Sequence, residues 1–66
     1  MCILIENNLT REYLTSGASW SRNPQDGKVF DSTTTALKAA NHIPVENFNL
    51  VFFDAQSKPY LKLNYR

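Results

Sequence analysis

Hydrophobic and polar positions alternate along this chain in short stretches, each closed by turn-forming residues. Residues 2–6, Cys-Ile-Leu-Ile-Glu, are apolar and β-prone and predict a strand. Asn7 and Asn8 follow as turn residues that tolerate positive φ. Residues 11–15, Arg-Glu-Tyr-Leu-Thr, read as the returning strand of a hairpin, and Ser16-Gly17-Ala18-Ser19 as a loop leading to Trp20. Asn23-Pro24-Gln25-Asp26 predicts a short helical turn, with Asn as cap and Pro where its missing N–H has no partner to lose. Gly27 ends that turn, and Lys28-Val29-Phe30 is extended.

The rhythm then changes to that of a helix. Ala36, Leu37, Ala40 and Ile43 recur at helical spacing and predict a helix over 33–42, capped by Ser32 and stopped by Pro44. Thr33, Thr34 and Thr35 are weak helix formers, so the first turn depends on the cap and on packing. Residues 48–53, Phe-Asn-Leu-Val-Phe-Phe, form the strongest strand pattern, and residues 54–58 a turn. Pro59 opens a last strand in which Leu61, Leu63 and Tyr65 face one way and Tyr60, Lys62 and Asn64 the other. The predicted order is β-β-α-β-β. It implies an α+β domain over residues 1–66, with a four-stranded, mainly antiparallel sheet and the helix on one face.

This architecture leaves one face to account for. Phe48, Leu50 and Phe52 alternate with Asn49, Val51 and Phe53, so both faces of that strand are largely apolar. Both faces of the first strand are apolar too, and one short helix covers only one of them. The other is expected to be covered by the Trp20 loop or by a second chain. Trp20, Val51, Phe53 and Tyr60 are the candidate anchors for a protein partner, because aromatic side chains commonly carry such contacts. A symmetric homodimer through Val51 and Phe53, or through an uncovered edge strand, is one form of this expectation.

Size and charge sharpen the picture. A chain of 66 residues makes a small domain of marginal stability, which gains from dense aromatic packing or from a partner. The formal net charge of +1 gives no basic excess of the kind nucleic-acid binders show. Even so, Lys58, Tyr60, Lys62, Asn64 and Arg66 fall two apart on the last strand. Lys58, Tyr60, Lys62 and Arg66 could track a single-stranded backbone with a ring for stacking. The competing reading is that these lysines guard an exposed strand against edge-to-edge aggregation.

Candidate chemistry is sparse. His42, the one histidine, falls at the predicted helix C-terminus, where an imidazolium interacts with the negative helix end. Cys2 lies among apolar strand residues without the positive neighbours that activate a thiol. Neither a nucleophile elbow nor a phosphate-binding loop is present, and the carboxylates show no metal-ligand spacing. No catalytic residue, metal or cofactor is expected. The charged start and the lack of a long apolar run predict a cytoplasmic protein, in the host cytoplasm if phage-encoded, that makes no membrane contact.

The series Ile5, Thr10, Tyr13, Leu14, Trp20, Ser21, Lys28, Phe30, Ser32 and Ala36 resembles the pattern of a loose group of short, uncharacterised bacterial and phage proteins. It runs as Thr-x-x-Tyr-Leu, then Trp-Ser, then Lys-x-Phe-x-Ser and a helix with Ala. The resemblance covers roughly residues 2–43, departs at Gly27 where the group has Ala, and stops at Pro44. It implies architecture and transfers no activity. Small phage proteins of this class often act as binding inhibitors of host machinery, anti-CRISPR proteins among them. By that analogy the chain is expected to be a non-enzymatic protein–protein interaction module.

Overall fold

The computed structural model describes residues 2–65 as an antiparallel sheet with a helix on one side. The strands are β1 Cys2–Asn7, β2 Tyr13–Leu14, β3 Trp20–Ser21, β4 Phe48–Phe53 and β5 Pro59–Tyr65, and helix α1 spans Thr33–Ala40. They lie in the order β3-β2-β1-β4-β5, which makes β1 and β4 central. The α+β class is as expected, but the sheet has five strands where four were predicted. The additional strand is β3: the chain at Trp20 pairs with β2, Leu14 opposite Trp20 and Tyr13 opposite Ser21.

The strand expected over 11–15 shrinks to Tyr13–Leu14 because the turn before it is longer than the two asparagines suggested. Arg11, not an asparagine, takes the positive φ, at 64°. Asn7 serves the turn through its side chain, whose Oδ1 accepts from the Leu9 N–H at 2.9 Å.

The Ser32 cap forms as expected, its Oγ accepting from the Thr35 N–H at 3.2 Å. Helix α1 ends at Ala40, short of the predicted residue 42. The N–H groups of His42 and Ile43 turn to the carbonyls of Ala39 and Ala40, a tightening that closes the helix before Pro44. Ala36 and Ala40 are buried against the sheet, while Leu37 and Ile43 pack at the margin. Small side chains at the contact let the helix sit close over β1. Ile3, Ile5, Leu50, Phe52 and Phe30 fill the space between them.

The opposite face is closed within the chain. Leu4, Val51 and Phe53 form a second, smaller cluster with Tyr13 against it. The rings of Tyr13, on β2, and Phe53, on β4, meet edge-on at 6.4 Å across the intervening β1. The segment after the 3-10 turn Pro24–Asp26 supplies the rest of the cover. It is held along the edge of β1 beyond β2: Lys28 N–H donates to the Leu14 carbonyl at 2.8 Å, and Ile3 and Phe30 exchange bonds of 3.1 and 2.9 Å. Gly27 then lies against Leu4, so closely that a Cβ there would stand 3.0 Å from Leu4 Cδ1. The second face is therefore flanked by Tyr13 and by the segment 24–29, which leaves an apolar cleft beside Leu4 and Phe53. Trp20 does not cover it, for it packs on the helix side with its pairing partner Leu14.

Candidate interaction surface

The two edges of the sheet differ in length. β3 offers two residues and β5 seven. Hydrogen-bond direction shows which backbone groups of β5 are open. Ile3 exchanges both bonds with Phe30, so β1 turns the backbone groups of Ile3 and Ile5 away from β4 and those of Leu4 and Glu6 toward it. Carried through the registers Leu4–Val51 and Leu50–Leu63, this alternation aims Leu61 and Leu63 at β4. The N–H and C=O groups of Lys62 and Asn64 point outward, with no further strand beside them among the described residues.

The helix-side face of this edge is apolar and uncovered. Helix α1 packs mainly over β1. Leu61 and Leu63 stay 45% and 37% exposed, and Tyr60 57%. Tyr65 is partly held by stacking on Phe48, with ring centroids 5.4 Å apart.

The other face of β5 is tied down by a polar ladder. Glu6, buried on β1, accepts from Asn49 Nδ2 at 2.9 Å. Asn49 also donates to Asn8 and accepts from Asn64 Nδ2 at 2.8 Å. Lys62 Nζ reaches 3.1 Å from Glu6, and Arg11 stands 3.9 Å away. Since β4 lies between β1 and β5, the stem of Lys62 passes over β4 near Val51 and Asn49. Burial first, and then the Glu6 charge, raise the pKa of Tyr13 above its ordinary 10.0.

The expected anchors do not form one surface. β4 is apolar on both faces as the sequence predicts, but Val51 and Phe53, on the second face, are buried within the monomer and not exposed to a partner. Trp20 is half-buried on the helix side. Tyr60 is exposed, but a bulge opposite Phe52 and Phe53 breaks the alternation that placed it with Lys62, and its ring lies 6.4 Å from that of Phe52. Of the basic stripe, Lys58 is exposed at the hairpin and Lys62 is bound to Glu6. Arg66 lies outside the described residues. The sequence reading missed Leu61, Leu63 and the Glu6–Asn49–Asn64 ladder. Asn49, a polar residue inside the most apolar strand, was the available signal for the ladder.

No family model, curated protein or solved structure matches this chain.

Reactive groups are dispersed. Cys2 is an exposed free thiol at the rim of an apolar cleft of about 190 Å³ between Leu4, Phe53, Pro24 and Val29. His42 is exposed just past the helix end. Among the described residues, no three His, Cys, Asp or Glu side chains gather as a metal site would require. No helix among them is long and apolar enough to cross a membrane.

Proposed function

We propose that the chain is a non-enzymatic protein–protein interaction module that docks through β5. The supporting observation is the coincidence, on one strand, of outward backbone groups at Lys62 and Asn64 with an uncovered apolar row at Leu61 and Leu63. An edge of this kind binds an extended segment by strand addition. Main-chain hydrogen bonds supply attachment, and alternate side chains supply selectivity. The ladder beneath β5 holds its shape, so little order remains to be gained on binding. The proposed setting is the cytoplasm of a bacterial or phage-infected cell, and an inhibitor seated on a host defence complex is its concrete form. Nucleic-acid binding has less support, since Lys62 directs its charge to Glu6.

Photo-crosslinking in the producing cell tests this. A benzophenone side chain at Leu61 or Leu63 is expected to give a discrete polypeptide adduct. The same group at Leu9, apolar and 81% exposed but isolated, is expected to give none. No adduct from positions 61 and 63, or the same adduct from position 9, would contradict the proposal.

A further inference from the structure

We infer that the occupant of the β5 edge is a second copy of this chain, paired antiparallel about a two-fold axis through Leu63. This rests on β5 being the docking surface and goes further by naming partner and register.

Three observations converge on that register. First, the apolar side chains of β5 on the helix side are Leu61, Leu63 and Tyr65. An axis at Leu63 sets Leu63 against its own copy and Leu61 against Tyr65 of the other copy. The exposed row of each protomer thus fills the space beside the other's, with both helices on the same side of one continuous sheet. Second, the outward backbone groups belong to Lys62 and Asn64. About Leu63 these residues face each other, and each symmetry-related Lys62–Asn64 pair exchanges both of its N–H···O bonds. Third, charge selects this register over its neighbour. An axis at Lys62 would put two lysines directly opposite one another, whereas an axis at Leu63 puts each lysine opposite a neutral asparagine. Lys62 also turns inward to Glu6, 3.1 Å away, which keeps its charge clear of the partner. Pro59, lacking an N–H, bounds the paired stretch at the start of β5.

Cysteine scanning reads out both the partner and the register. In the full chain with Cys2→Ser, Leu63→Cys places two thiols across the axis in a non-hydrogen-bonded pair. There the Cα atoms lie about 4.5 Å apart, within disulfide range. Under mild oxidation, Leu63→Cys is expected to convert mostly to a covalent dimer. Leu61→Cys, displaced from the axis, is expected to convert at least about tenfold less. Sedimentation of the wild-type chain should show a reversible dimer at about 50 µM. Backbone N-methylation at Lys62 in the chemically synthesised chain should weaken that dimer at least about tenfold while far-UV circular dichroism stays unchanged, because it removes an outward N–H that β4 does not use and leaves the Lys62 side chain on Glu6. Equal crosslinking at positions 61 and 63 would overturn the register. A wild-type monomer at every attainable concentration would overturn self-pairing. If heterologous adducts from positions 61 and 63 accompanied that monomer, the docking surface would stand without the second copy.

Discussion

The two faces of this sheet are closed by different means. On the helix side, Ile3, Ile5, Leu50 and Phe52 meet helix α1 through Ala36 and Ala40 and form a buried apolar layer. On the other side there is no second layer. Leu4, Val51 and Phe53 are roofed by the Tyr13 ring and by the strap of residues 24–29, and beside them the surface passes into the Glu6–Asn49–Asn64 ladder. A chain too short for two full layers can still bury both faces of its central strands, by placing irregular backbone on one and hydrogen-bonded polar side chains on the rest. What stays open is lateral, at β5: the ladder holds one face of that strand, while Leu61 and Leu63 on its helix side stay exposed.

Phe53→Asp gives the largest expected effect. It would place an unpaired carboxylate in the second cluster, at a cost of several kcal/mol. Small domains hold only about 3–5 kcal/mol in total, so the variant is expected to be unfolded by circular dichroism at room temperature. A folded Phe53→Asp chain would mean that this face is open after all.

Leucine truncation on each face then measures the contrast directly. Leu50→Ala, in the closed layer, is expected to cost about 3–5 kcal/mol, enough to leave the variant largely unfolded by circular dichroism before any urea is added. Leu4→Ala, under a strap that can settle into the space, is expected to cost about 2–3 kcal/mol in urea titration. Equal losses would show that the strap is as rigid as the helix.

The ladder comes next. Asn49→Ala leaves the buried Glu6 and Asn64 short of a partner and is expected to cost about 1–3 kcal/mol by the same titration. A loss under about 0.5 kcal/mol would make the ladder a surface ornament, since that is the range of ordinary surface substitutions.

The smallest effect is a pH dependence. Tyr13 has a raised folded-state pKa, so the folded chain holds the phenolic proton more tightly than the unfolded one. The associated stability is fully present below the ordinary value of 10.0 and is lost as pH rises through the folded-state pKa. Tyr13→Phe should flatten the fall in stability above about pH 10. An unchanged fall would assign it to other groups.

The sequence revealed long elements and concealed lateral relations. β1, β4 and β5 were legible because each is a β-prone run of six or seven residues bounded by turn residues, and α1 because Ser32 and Pro44 bracket it. β2 and β3, two residues each, are too short for a period to show. Glu6 and Asn49 gave no sign of each other because a hydrogen bond between residues 43 apart depends on the β1–β4 register. The strap was read as extended at Lys28-Val29-Phe30, but its destination rests on the Ile3–Phe30 bonds and on the absence of a side chain at Gly27. The exposed apolar row was misplaced for the same reason. Two apolar faces on β4 pointed to a partner there, while the exposed row was Leu61 and Leu63 on the neighbouring strand.

Residue-resolved amide hydrogen exchange at several protein concentrations tests the central claim, that β5 is the long open edge among the described residues and that, as proposed, a second copy closes it. The amides of Leu61 and Leu63, bonded to β4, should be protected throughout. Those of Lys62 and Asn64 should exchange rapidly in dilute solution and gain protection as concentration rises, while β1 and β4 stay unchanged. Rapid exchange at Lys62 and Asn64 at every concentration, or concentration-dependent protection appearing at β3 instead, would contradict it.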